Sequence, residues 1–107
     1  MTSSQNYTAS APDREEIDRT PGPLVLEFGT DWCGHCQAAQ PLIARAFSDH
    51  PSVQHMKIED GKGRQLGRLH SVKLWPTLIF MRDGQEVTRL IRPRDSEEIQ
   101  RALGQIA

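Results

Sequence analysis

The run Leu24-Val25-Leu26-Glu27-Phe28 is apolar but for one acid, and it leads directly into Trp32-Cys33-Gly34-His35-Cys36, which holds both cysteines of the chain. Such a run reads as a strand buried on both faces. Downstream, Ala39, Leu42, Ile43, Ala46 and Phe47 recur at i, i+3, i+4, i+7 and i+8, one apolar stripe of a helix. The two thiols therefore stand where a strand passes into a helix. Three positions apart on a helix, their Cα atoms are roughly 5–6 Å from each other, inside the window a disulfide requires. The unpaired N–H groups and partial positive charge of a helix N-terminus favour thiolate over thiol. This stretch reads as a dithiol that switches with a disulfide.

The chain has 107 residues, enough for one hydrophobic core without staples. A net charge of −1 excludes strong bulk attraction to nucleic acid or to an anionic membrane. No apolar run approaches the roughly 18 residues of a membrane span. Met1 to Ser10 has neither a basic start nor an apolar segment of the secretory kind. The expectation is a cytoplasmic monomer. A structural disulfide is unusual in that compartment, so redox or metal chemistry is favoured for the cysteines. Zinc takes four ligands, and His50, His55 and His70 form no paired-histidine motif to complete such a set. These three histidines are assigned no role, and no metal or cofactor is expected.

Residues 1–12 are polar and end in Ala11-Pro12, which suggests a loose tail or a poorly formed edge element ahead of one domain over 13–107. A short charged segment from Asp13 to Arg19 reads as one or two helical turns, stopped by Pro21-Gly22-Pro23. Pro41 should kink the cysteine-bearing helix. Val53 to Ile58 is a strand, a short helix carries Leu66 and Leu69, and Thr77 to Met81 is another buried strand. Asp83-Gly84 signals a hairpin that returns Glu86 to Ile91 antiparallel. Asp95 and Glu98 form a capping pattern for a last helix along Ile99, Ala102, Leu103 and Ile106. The order implies an α/β fold: a mixed sheet of four, possibly five, strands with helices on both faces. The dithiol then sits at the carboxyl end of a central strand, where open α/β sheets place their sites.

From Leu24 to Ala107 the residues resemble the thioredoxin family. The likeness rests on Trp32-Cys33-Gly34-His35-Cys36, on Pro41 five residues after the second cysteine, on Trp75-Pro76-Thr77, on Asp83-Gly84 and on Glu27. The resemblance implies a thioredoxin-like fold and a protein-disulfide oxidoreductase acting on protein disulfides, with a reductase or oxidant partner to recharge it. It implies that Pro76 is a cis proline facing the disulfide and that the Trp75 backbone pairs with an extended substrate. It implies that Cys33 is the exposed nucleophile and the more buried Cys36 resolves the mixed disulfide. Glu27 stands where the family carries a buried acid, and Lys57 where it carries a lysine paired with that acid.

The chain departs from the family at four points, one being that residues 1–12 hold no clear counterpart of its first strand. Cys-Gly-His-Cys is the motif of disulfide isomerases, Trp75 replaces a smaller aliphatic residue, and Arg92-Pro93-Arg94 replaces a Gly-Ala rim.

Each residue of the site carries an expected role. His35 supplies a cation beside the Cys33 sulfur and raises the reduction potential above that of thioredoxin. Glu27, buried with a raised pKa, relays the proton of Cys36. Trp32, Gly34, Trp75, Pro76 and Arg92 form the substrate surface. Lys57 pointing outward, Glu27 as a strand-edge acid and the arginines as a solvated turn are the plainer alternatives. In a different class stands a non-catalytic module that clasps extended peptides, with the thiols incidental.

Overall fold

The computed structural model describes residues 6–107. The elements run α1 (Arg14–Asp18), β1 (Pro23–Gly29), α2 (Gly34–Phe47), β2 (Gln54–Glu59), α3 (Gln65–Leu69), β3 (Thr77–Arg82), β4 (Gln85–Ile91) and α4 (Ser96–Ile106). The sheet order is β2-β1-β3-β4, with β1 parallel to β2 and the other pairs antiparallel. This is the thioredoxin-like architecture, a four-stranded mixed sheet between helical layers.

The alternation of side chains along β1 decides where the site lies. Leu24, Leu26 and Phe28 point to one face and join Ile17, Ile58, Leu66, Ile79 and Met81 in a core. Val25 points to the other and packs with Ala39, Ile43 and Ala46 of α2 and with Ile99, Ala102 and Leu103 of α4. Glu27 and Gly29 follow Val25 at period two, so both lie under α2 and close to its first turn. A carboxyl and a missing side chain are thus delivered beneath the cysteines by the same periodicity that builds the core.

Local signals set the ends of the elements. Between β3 and β4 stand only Asp83 and Gly84, both in left-handed backbone at φ 52° and 80°, as a two-residue hairpin turn requires. A Cβ at Gly84 would lie 2.1 Å from the Asp18 carbonyl oxygen, so the turn also needs glycine for space. Asp13 caps α1 in a complete capping box with Glu16. At α4 the Asp95 side chain accepts from the Glu98 N–H, whereas the Glu98 carboxylate reaches the Arg94 N–H, so that box is displaced by one residue from the expected pattern.

Of the two expectations for the segment ahead of α1, residues 6–12 follow the poorly formed edge element, not the loose tail. Tyr7 is 8% exposed, its N–H donates to Asp31 Oδ1 at 3.0 Å, and Thr8 forms a parallel bridge with Ile58. Thr8 donates to the Lys57 carbonyl and accepts from the Glu59 N–H, both at 2.9 Å. A fifth strand is here reduced to one bridge at the β2 edge, and its anchor is a buried aromatic ring. Residues 1–5 of the expected tail lie outside the described residues.

Candidate active site

Cys33 is the N-cap of α2, and its sulfur accepts from the Cys36 N–H at 3.3 Å. The helix therefore begins by hydrogen-bonding a sulfur atom, so the capping energy of its first turn is spent on stabilising negative charge there. Both cysteines are free thiols. Cys33 is 8% exposed and Cys36 1%. The expectation of an exposed Cys33 is corrected: Tyr7, Cys36 and Trp75 pack around it, leaving a narrow opening. Gly34 widens that opening, because nothing lies within 4 Å of where its Cβ would stand.

The two thiols are driven apart electrostatically. Burial opposes ionisation of Cys33. Hydrogen bonds from the Cys36 thiol and from the backbone N–H groups of Cys36 and His35, with the charge of Arg92, outweigh it and hold Cys33 below the ordinary thiol value. Burial pushes Cys36 up to about 11, and the neighbouring Cys33 adds to the rise. The cation expected from the His35 ring comes instead from Arg92. The His35 side chain is exposed and its contribution at Cys33 is its backbone amide. A residue at the first turn of a helix directs its N–H, not its ring, at the cap.

Arg92 is built into the site by its backbone. Its φ is 53°, its N–H donates to the Pro76 carbonyl at 2.9 Å, and its Nε donates to the Trp75 carbonyl at 2.7 Å. The Trp75 carbonyl, expected to pair with substrate, is thus already occupied by an arginine that a substrate must displace or bridge. The Trp75–Pro76 peptide bond is cis. The Trp75 indole donates to Asp60 Oδ2 at 2.8 Å and meets Trp32 edge-on at 5.7 Å between ring centroids. Trp32 itself is 72% exposed. On the far side of the cysteines a groove of about 600 Å³ runs over Ala38, Leu42, Leu74 and Ile91, with His35, Arg92 and Arg94 along it.

Beneath the thiols, Glu27 is fully buried, with the His55 Nε2 at 2.7 Å from its Oε1, a contact that is an ion pair when the ring is protonated. Its Oε2 accepts from Gln40 at 2.9 Å and from the Tyr7 hydroxyl. Burial alone raises a carboxyl, but His55, Gln40 and Tyr7 together reverse the sign and hold Glu27 below the usual carboxylate range. The raised pKa expected for Glu27 is therefore corrected: the carboxyl is an anion with partners. The side chain expected to pair with it was Lys57, but the ring at hydrogen-bond distance is His55. Lys57 reaches the acid through Gln40, whose Oε1 it contacts at 2.6 Å, and it also lies 4.9 Å over the Tyr7 ring.

Three of these residues escaped sequence reasoning. Tyr7 stands in a polar segment with no periodicity, and Gln40 faces the acid from the helix flank. His55 was legible in principle, since it lies two residues before Lys57 on the same strand face.

Comparison with known proteins agrees with this geometry. The family described as Thioredoxin matches residues 6–105. The structure of thioredoxin 2 from Pseudomonas aeruginosa PAO1 in its reduced form superposes with a TM-score of 0.84 at 55% identity, covering 95% of this chain and 98% of that one. Thioredoxin H-type 1 of Nicotiana tabacum is 30% identical over 80 residues, 75% of this chain, and this match covers 63% of the tobacco protein. Thioredoxin of Chlamydia trachomatis serovar D is 28% identical, with 73% and 76% of the two chains aligned. With the fold, the dithiol at the helix start and these relatives together, the chain belongs to the thioredoxin family of disulfide oxidoreductases.

Proposed function

We propose that this protein reduces protein disulfides, with Cys33 as the attacking thiolate and Cys36 as the resolving thiol. The observation that carries the proposal is the asymmetry of the pair: one sulfur held down at a helix cap, the other pushed up to about 11 beside it. Cys33 attacks one sulfur of the substrate disulfide; that S–S bond breaks and one substrate thiolate leaves. Cys36 then gives up its proton and attacks the Cys33 sulfur, which releases the second substrate thiolate and leaves the Cys33–Cys36 disulfide. Two electrons from a dithiol reductase partner restore the site. Trp32, Gly34, Trp75, Pro76 and Arg92 form the surface an extended substrate meets. Trp32 and Trp75 supply apolar contact, and Arg92 a donor that can move from the Trp75 carbonyl to a substrate carbonyl or carboxylate.

Cys-Gly-His-Cys supports a finer reading, an isomerase-like potential. Thioredoxin stands at about −270 mV and disulfide isomerase at about −180 mV, so a value between them, read by equilibration with glutathione, fits that reading. A value at or below thioredoxin's contradicts it. The exchange itself is tested by insulin reduction with dithiothreitol and by Cys36→Ser. Turnover by the wild type and a covalent Cys33–substrate adduct in the variant are the expected results. No turnover and no adduct would remove the proposal and leave a peptide-binding module.

A further inference from the structure

We propose that the Tyr7 hydroxyl is the proton relay between the resolving thiol Cys36 and the Glu27–His55 pair. This deepens the exchange mechanism proposed above and rests on it.

The placement is specific. Tyr7 comes from the segment ahead of α1, Cys36 from the first turn of α2, Glu27 from β1 and His55 from β2. Cys36 and Tyr7 meet over Gly29, and Tyr7 and His55 both hydrogen-bond Glu27. A Cβ built on Gly29 would stand 2.6 Å from Cys36 Sγ and 2.9 Å from the Tyr7 oxygen, so the thiol and the hydroxyl share the space that glycine leaves open. The Tyr7 hydroxyl donates to Glu27, and Tyr7 packs with Cys36 in one buried cluster. The oxygen of Tyr7 therefore stands between the Glu27 carboxylate, which it hydrogen-bonds, and the sulfur that shares the space over Gly29. His55, whose side chain is 23% exposed, gives the far end of the path an outlet toward water.

A hydroxyl both donates and accepts, and this is the capacity the step needs. Before resolution the Cys36 S–H donates to the Tyr7 oxygen, and the Tyr7 O–H donates to the Glu27 carboxylate. As Cys36 attacks the Cys33 sulfur, its proton moves to the Tyr7 oxygen and the Tyr7 proton moves to Glu27. The S–S bond to the substrate breaks, and the substrate leaves as a thiolate. Glu27 then holds one proton, which is lost to water at the partly exposed His55 end of the path, and every hydrogen bond in the relay has reversed direction. In the reducing half of the cycle the same chain runs backward. Tyrosine never ionises in this exchange, consistent with burial and the adjacent Glu27 charge holding its hydroxyl protonated.

The other charged groups facing the chain are accounted for. From β2, Lys57 lies over the Tyr7 ring and contacts Gln40. From α2, Gln40 donates to Glu27 Oε2 and lies 3.2 Å from the Tyr7 oxygen. From the loop before α2, Asp31 accepts the Tyr7 N–H. Gln40 is neutral, and Lys57 and Asp31 each touch a different part of the tyrosine, so the hydroxyl is the shared atom of the path.

Equimolar 5,5′-dithiobis(2-nitrobenzoate) separates the two steps. Attack by Cys33 releases one nitrothiobenzoate, at a rate that depends on reagent concentration. Resolution by Cys36 releases the second, at a rate that does not. Tyr7→Phe keeps the ring and removes the oxygen. It should leave the first phase within about twofold of wild type and slow the second roughly tenfold to a hundredfold at pH 7. The deficit should shrink as the pH approaches the value near 11 at which Cys36 ionises unaided. Glu27→Gln should slow the same phase, and the double variant should be no slower than the slower single.

A proton inventory of the wild-type second phase in mixed light and heavy water needs no variant. Two protons in flight give a curved plot. A Tyr7→Phe second phase within about twofold of wild type, effects that multiply in the double variant, or a linear inventory would each overturn the relay. A wild-type protein with no second phase would overturn the exchange chemistry itself, a distinguishable failure.

Discussion

His55→Ala removes the histidine partner of a carboxylate that has no access to solvent, and the consequence can be worked from the geometry. Glu27 is 0% exposed and His55 is 23% exposed at the side chain, with 2.7 Å between them. Breaking a fully buried pair costs about 3–5 kcal/mol because an uncompensated charge remains. One partner here is partly wet and Glu27 keeps Gln40 and Tyr7, so about 2–3 kcal/mol, below that range, is the appropriate cost. The His55 ring also stacks on Phe47 at 4.2 Å, and its loss adds about 0.5–1 kcal/mol. For a domain of this size that total lowers Tm by about 10–30 °C.

Urea denaturation at pH 7 measures the cost, and Glu27→Gln in the His55→Ala background identifies its cause. A neutral amide needs no counter-charge, so the double variant should be more stable than His55→Ala alone, short of wild type by the stacking loss. The pH dependence follows by linkage. Glu27 is held below its ordinary value in the fold, so its stabilisation is present above the unfolded carboxyl's value of about 4.3 and is lost as the pH falls through the lower folded value. The gap between wild type and His55→Ala therefore narrows in acid. A cost under about 1 kcal/mol, or a double variant weaker than the single, would refute the assignment of a buried anion at Glu27.

Gly29→Ala places a methyl 2.6 Å from Cys36 Sγ and 2.8 Å from Tyr7 Cζ. It should lower stability by about 1–3 kcal/mol in urea denaturation and slow the Cys36 step while sparing Cys33 alkylation; an unchanged urea midpoint contradicts the packing described. Arg92→Gln removes the charge facing Cys33 and should move the alkylation midpoint of Cys33 upward and the reduction potential downward. Because Arg92 is exposed, the difference should fade in about 1 M salt, and its persistence there would contradict a charge effect.

The fold was legible because its signals are local and periodic. The strand at Leu24, the stripe from Ala39 to Phe47, the Asp83-Gly84 turn and the last helix each declare themselves within one window of sequence. The thiols were legible for the same reason. The partners of the buried acid were not, because they come from residues far apart in the chain. Tyr7 reaches Glu27 across 20 positions and His55 across 28, and no spacing rule links them. The sign of the Glu27 pKa depends on counting these partners. Burial alone, the feature readable from an acid in an apolar run, gives the opposite sign. His35 illustrates a second limit: its place beside the cysteines was evident, but whether the ring or the backbone N–H addresses the sulfur is decided by the backbone geometry of one turn.

Separate titration of the two thiols in the reduced protein tests the asymmetry on which the mechanism stands. The pH dependence of iodoacetamide alkylation, with each cysteine identified by peptide mass, gives both curves in one experiment. Cys33 should titrate below an ordinary thiol, and Cys36 near 11. Two coincident curves at the value of free cysteine, about 8.5, would contradict the division of labour between attacker and resolver.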